Sequence, residues 1–388
     1  VTSLLLVPAK GQESALRQKI AGLSLAQRLY HHAKRAGLSQ TAFIVSEEEG
    51  LSTYEETRDC LLTDFARLRD KGFERCIVCN PTHLPDIHCL KWLLKVEIKD
   101  HEVLELPGVF VFSPSDNGFE LKKAFENDGY NKLLDFLHTF LTRRQAICGQ
   151  GQVFDVSGPE RIRKVERVLF RSLIKDTEGF MSRFVERRIS LAISKRLVNT
   201  SITPNQVTLV SILIGLVGAW FISLGRGLWQ VTGAVLFLVH SIVDGCDGEI
   251  ARIKFQESRL GGILDFWGDN IVHAAVFTAI GIEWWRRTGS LLPLFLSSTA
   301  VMGTFLCALM IYLSTMREKK APGPLYTSVS TSSNRAGIVK IADFLSRRDF
   351  IYLVVILAWY QHLDWFLMAS AIGTIVFLAM LIWIKAKD

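Results

Sequence analysis

Asp244-Gly-Cys-Asp-Gly-Glu-Ile-Ala-Arg252, followed by Gly261, Gly262, Asp265 and Asp269, is the stretch on which the reading of this chain turns. It joins apolar runs long enough to cross a bilayer. Carboxylates in such surroundings are costly, so four in register argue for a site rather than for packing. Asp244 and Asp247 are three residues apart and share a helix face. Ala251 and Arg252 extend that helix by a turn, and Asp265 and Asp269 lie four apart on the next helix. A short turn near Ser258 to Gly262 makes the two helices antiparallel neighbours, so the four carboxylates converge. They cannot stay charged together without cations. Hard oxygen ligands select Mg2+ or Mn2+, and the absence of clustered His and Cys argues against zinc. Two ions suit this number of carboxylates. Gly245, Gly248, Gly261 and Gly262 leave room for a ligand, and Arg252 offers a charge that clamps phosphate.

Outward from this stretch, the second half of the chain is mostly apolar. Residues 207–224, 228–243, 263–285, 291–313, 350–360 and 365–384 form the long runs. At about 20 residues per crossing they predict six transmembrane helices, the fifth reaching span length only if residues around Phe344 extend it. Arg252, Lys254, Arg259, Arg317, Lys319, Lys320, Arg335, Lys340, Arg347, Arg348, Lys385 and Lys387 fall on one side, and Arg226, Arg286 and Arg287 on the other. The positive-inside tendency puts both chain ends and the Asp cluster at the cytosolic face of the inner, cytoplasmic membrane, with Arg286-Arg287 in mild conflict. Ahead of the first span, Arg183, Arg187, Arg188, Lys195 and Arg196 interleave with Phe184, Ile189, Ile193 and Leu197 at helical spacing. This predicts an amphipathic juxtamembrane helix, suited to anionic lipid headgroups or to a partner helix. Pro204 stands at a helix start, where its missing N–H has no partner to lose, and the same turn places Asn205 beside the site.

The first half carries charge throughout and reads as soluble. Short apolar strands at 4–7, 41–45, 76–79 and 109–112 alternate with helices at 23–36 and 61–69, which predicts a parallel, doubly wound α/β sheet. The chain has 388 residues and a formal net charge of +7. Much of that charge borders apolar segments, so a membrane surface explains it better than nucleic acid. Cys76-x-x-Cys79 has no second half, so it does not read as a zinc site. The first residues do not read as a signal peptide, and the large soluble half is expected to stay in the cytosol.

Three resemblances sharpen this. Leu4-Leu-Leu-Val-Pro-Ala-Lys-Gly11, Ala21-Gly-Leu-Ser-Leu-Ala-Gln-Arg28 and Phe154-Asp-Val-Ser-Gly-Pro159 resemble the nucleotidyltransferase fold of sugar-nucleotide and molybdenum-cofactor enzymes. Those enzymes carry a Gly-rich phosphate loop, whereas Gly11–Arg17 holds a single Gly. Thr82 stands where they place a metal-binding Asp, with Asp86 the available substitute. The expectation is a nucleotidyltransferase-like domain that keeps the fold and has lost catalysis, with His83 and His88 as ordinary histidines.

Asp244-x-x-Asp-Gly-x-x-Ala-Arg252, eight residues, then Gly261-x-x-x-Asp-x-x-x-Asp269 is similar to the full signature of the CDP-alcohol phosphotransferases, across roughly residues 175–384. Thr203-Pro204-Asn205 resembles the segment before their first membrane helix. The resemblance implies Asp244, Asp247 and Asp265 as metal ligands. It implies Asp269 as the base that activates the acceptor hydroxyl and as a further ligand, with Asp265 beside it in catalysis. Asn205, Gly248, Ala251, Arg252 and Gly261 would surround the CDP moiety, and Arg317, Arg347 and Arg348 would read the acceptor phosphate. It also implies a homodimer. The whole chain resembles fusions of an inositol-1-phosphate cytidylyltransferase-like domain to a phosphotransferase that makes di-myo-inositol phosphate phosphate.

The expected organisation is a domain over 1–160, a linker and juxtamembrane helix over 161–202, and a membrane domain over 203–388. The expected reaction moves a substituted phosphate from a CDP-alcohol to a polyol-phosphate or lipid acceptor and releases CMP. A bifunctional chain that makes its own CDP-alcohol from CTP is the alternative. A carboxylate-lined transporter is a further one, but it calls for paired broken helices or internal repeats, which the sequence lacks.

Overall fold

Ser3–Pro8 forms strand β1, and its alternating residues serve two cores. Leu5 and Val7 join one cluster with Leu29, Leu90 and Leu93, while Leu4 and Leu6 join another with Leu133 and Leu137. The sheet therefore has helices on both faces, as the strand–helix alternation predicts. The computed structural model describes residues 3–9, 12–45, 61–62, 74–99, 102–113, 130–174, 186–316 and 350–385. The chain divides into two compact units, Val1–Leu169 and Phe170–Asp388.

In the first unit β1 is followed by α1 (Glu13–Arg17), β2 (Lys19–Ile20), β3 (Leu23–Ser24), α2 (Leu25–Ala36), β4 (Gln40–Ile44), β5 (Leu61–Leu62), β6 (Arg75–Cys79) and β7 (His83–Pro85). Then come α3 (Ile87–Lys95), β8 (Glu102–Leu106), β9 (Val109–Phe112), α4 (Tyr130–Phe140), β10 (Thr142–Gln145), β11 (Val153–Asp155) and α5 (Pro159–Arg171). The main sheet runs β10-β8-β9-β6-β1-β4-β5. β1 is parallel to β4 and β6, but β9 is antiparallel to both β6 and β8. The expected all-parallel sheet is thus corrected to a mixed one. The cause is local: Pro107-Gly108 joins Leu106 to its partner Val109, with Gly108 at φ 74°. Pro then Gly with positive φ makes a tight turn that returns the chain antiparallel. A second correction concerns 61–69. Leu61 and Leu62 pair with Phe43 and Ile44 as a strand rather than opening a helix, and the rest of that segment lies outside the described residues. Cys76 and Cys79 face different cores of the sheet.

Helix α2 shows why the ends lie where they do. Ser24 accepts from Gln27 N, and Gln27 Oε1 accepts from Ser24 N, which closes a capping box. The helix therefore starts at Leu25 rather than Leu23, and Gly37 at φ 95° ends it. From α2, Arg28 reaches back to Ile20 O and Ala21 O and holds the β2–β3 hairpin.

The second unit is helical: α6 (Arg187–Leu197), α7 (Pro204–Leu224), α8 (Leu228–Lys254), α9 (Arg259–Thr288), α10 (Leu292–Ile311), α11 (Phe350–Trp359) and α12 (Leu363–Lys385). Four of these, α7, α8, α10 and α12, are long and apolar enough to cross a membrane, and α11 is a shorter apolar helix. They pack around Ile222, Phe237, Val272, Val276, Ile280, Val354 and Leu367. Helices α7 and α8 come close enough that a Cβ at Gly218 would stand 2.9 Å from Gly233 O.

One end of this bundle accounts for the Arg286-Arg287 conflict. Arg226 and Arg287 both approach Glu283 and Asp364, at 3.5 to 3.9 Å, and Arg286 donates to Ser223 O. Arg226 and Arg287 are thus matched by two carboxylates within the fold. Trp220, Trp229, Trp285, Trp359, Tyr360 and Trp365, near the same helix ends, are exposed. Such a belt suits a membrane–water interface.

A pH dependence follows for the first unit. His32 is buried, with Nδ1 2.8 Å from Pro85 O. Burial, aided by the charges of Arg28 and Arg35, pushes its imidazole down to about 3 against the opposing pull of that bond. Below the ordinary value of 6.5 the unfolded chain takes up a proton that the fold refuses. Stability is therefore full above that value and falls with pH toward the folded value, by ~1.4 kcal/mol per pH unit. Pulse proteolysis of the full chain in urea is expected to show about 2 kcal/mol less stability at pH 5 than at pH 7.5. His32→Gln, which keeps a donor for Pro85 O, should flatten that slope.

Candidate active site

The site lies where α8 ends and α9 begins. Phe255, in the left-handed conformation at φ 57°, ends α8, and Gln256 N returns to Ala251 O at 2.9 Å. Ser258 then caps α9 by accepting from Gly261 N at 3.0 Å. The turn is thus Phe255–Ser258, and Gly261 and Gly262 belong to the first turn of α9 rather than to the connection. From Trp229 to Asp247 the helix rises about 27 Å at ~1.5 Å per residue. That is close to the ~30 Å hydrocarbon thickness, so the carboxylates lie near the interface opposite the aromatic belt rather than at mid-membrane.

Asp244, Asp247 and Asp265 each bring a carboxylate oxygen within 4.8 Å of the others. Asp244 and Asp247 are 3% and 7% exposed, and Asp265 is half-buried. Among the described residues no other set of three His, Cys, Asp or Glu side chains gathers this way. Three anions so close, two of them buried, repel one another, and a hard divalent cation is the partner that an all-oxygen donor set fits. Asp247 is further held by Thr208 Oγ1 from α7 and by Gly248 N.

Asp269 is not part of that trio. Its Oδ1 lies 3.5 Å from His240 Nε2, while His240 Nδ1 lies 2.9 Å from Ser211 O. The carbonyl can only accept, so Nδ1 donates to it, and the ring is thereby oriented with its Nε2 edge toward Asp269.

The remaining expected residues border this centre. A Cβ at Gly261 would stand 2.8 Å from Asn205 Oδ1 and 2.9 Å from Ser258 Oγ. Glycine there lets the start of α7 lean against α9, and Thr203 and Gln206 fix that start with a capping box. Arg252 Nη1 lies 3.7 Å from where a Gly248 Cβ would be, and Ala251 is buried. Arg317, Arg347 and Arg348 lie outside the described residues. In the first unit, Asp86 spends one oxygen capping α3 through Cys89 N at 2.6 Å and the other on Gln152 N at 3.1 Å. Thr82 turns its hydroxyl to Asn80 Oδ1.

Sequence reading missed Thr208, His240 and the whole environment of Glu249. Glu249 is fully buried and accepts from Arg187, Ser190 and Ser194 of α6. Lys254 Nζ closes the same corner on Thr200 O at 2.8 Å. The available signal was a carboxylate inside an apolar helix with no task assigned to it.

Residues 201–383 match the family model of the CDP-alcohol phosphatidyltransferases. This segment is a CDP-alcohol phosphatidyltransferase domain. The chain is 34% identical over 185 residues to a bifunctional IPC transferase and DIPP synthase of Thermococcus kodakarensis, covering 44% of this chain and 41% of that protein. It is 39% identical over 119 residues to the protein so named from Archaeoglobus fulgidus, covering 30% of this chain and 23% of that one. An archaetidylinositol phosphate synthase of Pyrococcus horikoshii is 27% identical over 168 residues, covering 43% of this chain and 83% of that protein. The chain thus spans less than half the length of the two bifunctional relatives.

If Thr208 steadies Asp247 within the phosphatidyltransferase domain, Thr208→Val should weaken Mn2+ binding about tenfold, in the range expected for a residue that orients a ligand. An electron paramagnetic resonance titration of free Mn2+ checks this. Asp244→Asn, which removes one of the three gathered carboxylate charges, should weaken it further.

Proposed function

We propose that the chain transfers a substituted phosphate from a CDP-alcohol to an acceptor hydroxyl and releases CMP. The gathering of Asp244, Asp247 and Asp265 at one mouth of the bundle carries this reading. In it these three residues hold Mg2+ or Mn2+ as a pair of ions, with Asp269 as a further ligand from its side of the cleft. Divalent ions held there offset the charge of the CDP pyrophosphate and of the departing phosphate.

The protein's own groups do the rest. Gly248, Ala251, Gly261 and Asn205 form the walls against which the CDP moiety lies, and Arg252 faces its phosphates. Asp269 takes the proton of the acceptor hydroxyl as that oxygen forms its bond to the β-phosphorus. The bond from the β-phosphorus to the bridging oxygen breaks, and CMP leaves with that oxygen. His240, fixed through Ser211 O, stands beside the Asp269 carboxylate. The acceptor is a polyol phosphate, such as an inositol phosphate, or a lipid, and Arg317, Arg347 and Arg348 meet its phosphate.

Six helices, α7 to α12, make up the membrane domain in this reading. The chain is a multi-pass protein of the inner membrane and works as a homodimer. Arg188, Lys195 and Arg196 are exposed on α6 at the site end, while at the opposite end Arg226 and Arg287 are matched by Glu283 and Asp364. That asymmetry favours a cytosolic active site. The first unit has a nucleotidyltransferase-like fold without catalysis, because Thr82 carries no carboxylate and Asp86 is committed to a helix cap.

CMP release from a panel of CDP-alcohols and acceptors tests the transfer. Asp269→Asn is expected to lower kcat by at least about a hundredfold, in the range for loss of a general base, while Mn2+ binding persists at the trio. CTP offered with inositol 1-phosphate is expected to give no pyrophosphate, and its release would restore the bifunctional reading.

A further inference from the structure

Glu249 stands inside the Asp244–Arg252 stretch, yet the transfer reaction gives it no task. It is 0% exposed. Oε1 accepts from Arg187 Nη1 at 2.8 Å and from Ser190 Oγ at 2.6 Å, and Oε2 accepts from Ser194 Oγ at 2.6 Å. Ser190 and Ser194 are buried as well. Three donors on one buried carboxylate fix both the rotation of α6 about its axis and its height along α8.

That clamp decides where Arg187 stands. The same Nη1 that meets Glu249 lies 3.4 Å from where a Cβ on Gly245 would be. Gly245 sits between Asp244 and Asp247 on α8. One turn further on, Arg252 Nη1 lies 3.7 Å from the equivalent point at Gly248. Two guanidinium groups, one from α6 and one from α8, therefore border the two glycines interleaved with the metal-binding carboxylates. The Arg187 side chain is 19% exposed and so is within reach of a ligand. A guanidinium carries five N–H donors in a planar fork, so a bond to Glu249 and a bond to a phosphate oxygen are compatible.

We propose that Arg187 binds a phosphate oxygen of the CDP-alcohol beside Gly245, as a second cation alongside Arg252, with Glu249, Ser190 and Ser194 as its positioning residues. This rests on the reading of the site as a CDP-alcohol transferase. It gives the juxtamembrane helix a part in holding the donor that lipid contact alone would not.

The rival account is that Arg187 only neutralises Glu249. Arg187→Met alone strands a buried carboxylate and is expected to destabilise the chain for that reason. The informative protein is the double variant Arg187→Met with Glu249→Gln, which removes both charges together. The full chain in detergent is assayed for thermal unfolding, for Mn2+ binding, and for binding of labelled CDP in the presence of Mn2+. The expected result is near-wild-type unfolding and Mn2+ affinity with CDP affinity reduced about tenfold, the size of one lost charge-assisted hydrogen bond. Arg187→Lys keeps a cation for Glu249 but not the fork, and is expected to lose several-fold in CDP affinity with a native melting temperature. It decides the matter should the double variant not fold. Wild-type CDP affinity in the folded variants would overturn the proposal and leave the transferase reading intact. An equal loss of Mn2+ and CDP affinity would overturn it as well, since it would mark a structural role. A wild-type chain that binds no CDP with Mn2+ present would overturn the donor reading and this inference with it.

Discussion

Crowding of like charge is the constraint around which the membrane unit is built. Asp244, Asp247 and Asp265 bring oxygens within 4.8 Å in a largely buried setting. An arrangement of that kind persists only if cations are supplied and if the helices carrying the anions cannot drift apart. The neighbouring structure serves the second need. Thr208 ties α7 to Asp247, Gly261 lets the α7 start approach α9, and Glu249 and Lys254 fasten α6 and the 200–202 turn onto the end of α8. These contacts lie at the end of the bundle that carries the carboxylates. The middle of the bundle is left to Phe237, Val272 and Val276.

Glu249 and the trio are solved by opposite means, although they occupy one helix. The trio turns three carboxylates toward one point and so suits metal. Glu249 has three donors within 2.8 Å and is complete without any ligand. A carboxylate at a membrane helix end can thus be a tool or a rivet, and the donors around it tell which. Asp86 in the first unit makes the same point. It occupies the place of a substitute metal ligand and turns out to cap α3 with one oxygen and hold Gln152 with the other.

The carboxylate cluster was legible because spacing of three and four residues translates directly into a shared helix face. The apolar runs likewise gave the helices, and the alternation in Leu4–Val7 gave a strand buried on both sides. What stayed hidden depended on contacts between distant residues. The bond from Arg187 to Glu249 spans 62 positions, and no local pattern announces it. Amphipathic spacing gave α6 as a helix, and Ile193 and Leu197 of its apolar stripe do pack against Val207, Cys246 and Ile250, but the buried Ser190 and Ser194 that dock beside them went unread. The β8–β9 hairpin was a different kind of miss. Pro107-Gly108 is a local turn signal, and reading it would have made the sheet mixed from the outset. Asp269, expected from the family resemblance as base and further ligand, lies one turn further along α9, and its neighbour His240 had no local signal.

The knot of Arg226, Glu283, Arg287 and Asp364 cross-links the α7–α8 turn, the end of α9 and the start of α12. It works like the spring of a clothes-peg. With the helices gripped there, their free play is at the jaws. In a bundle fastened this way, any parting of the helices falls at the end where the carboxylates stand.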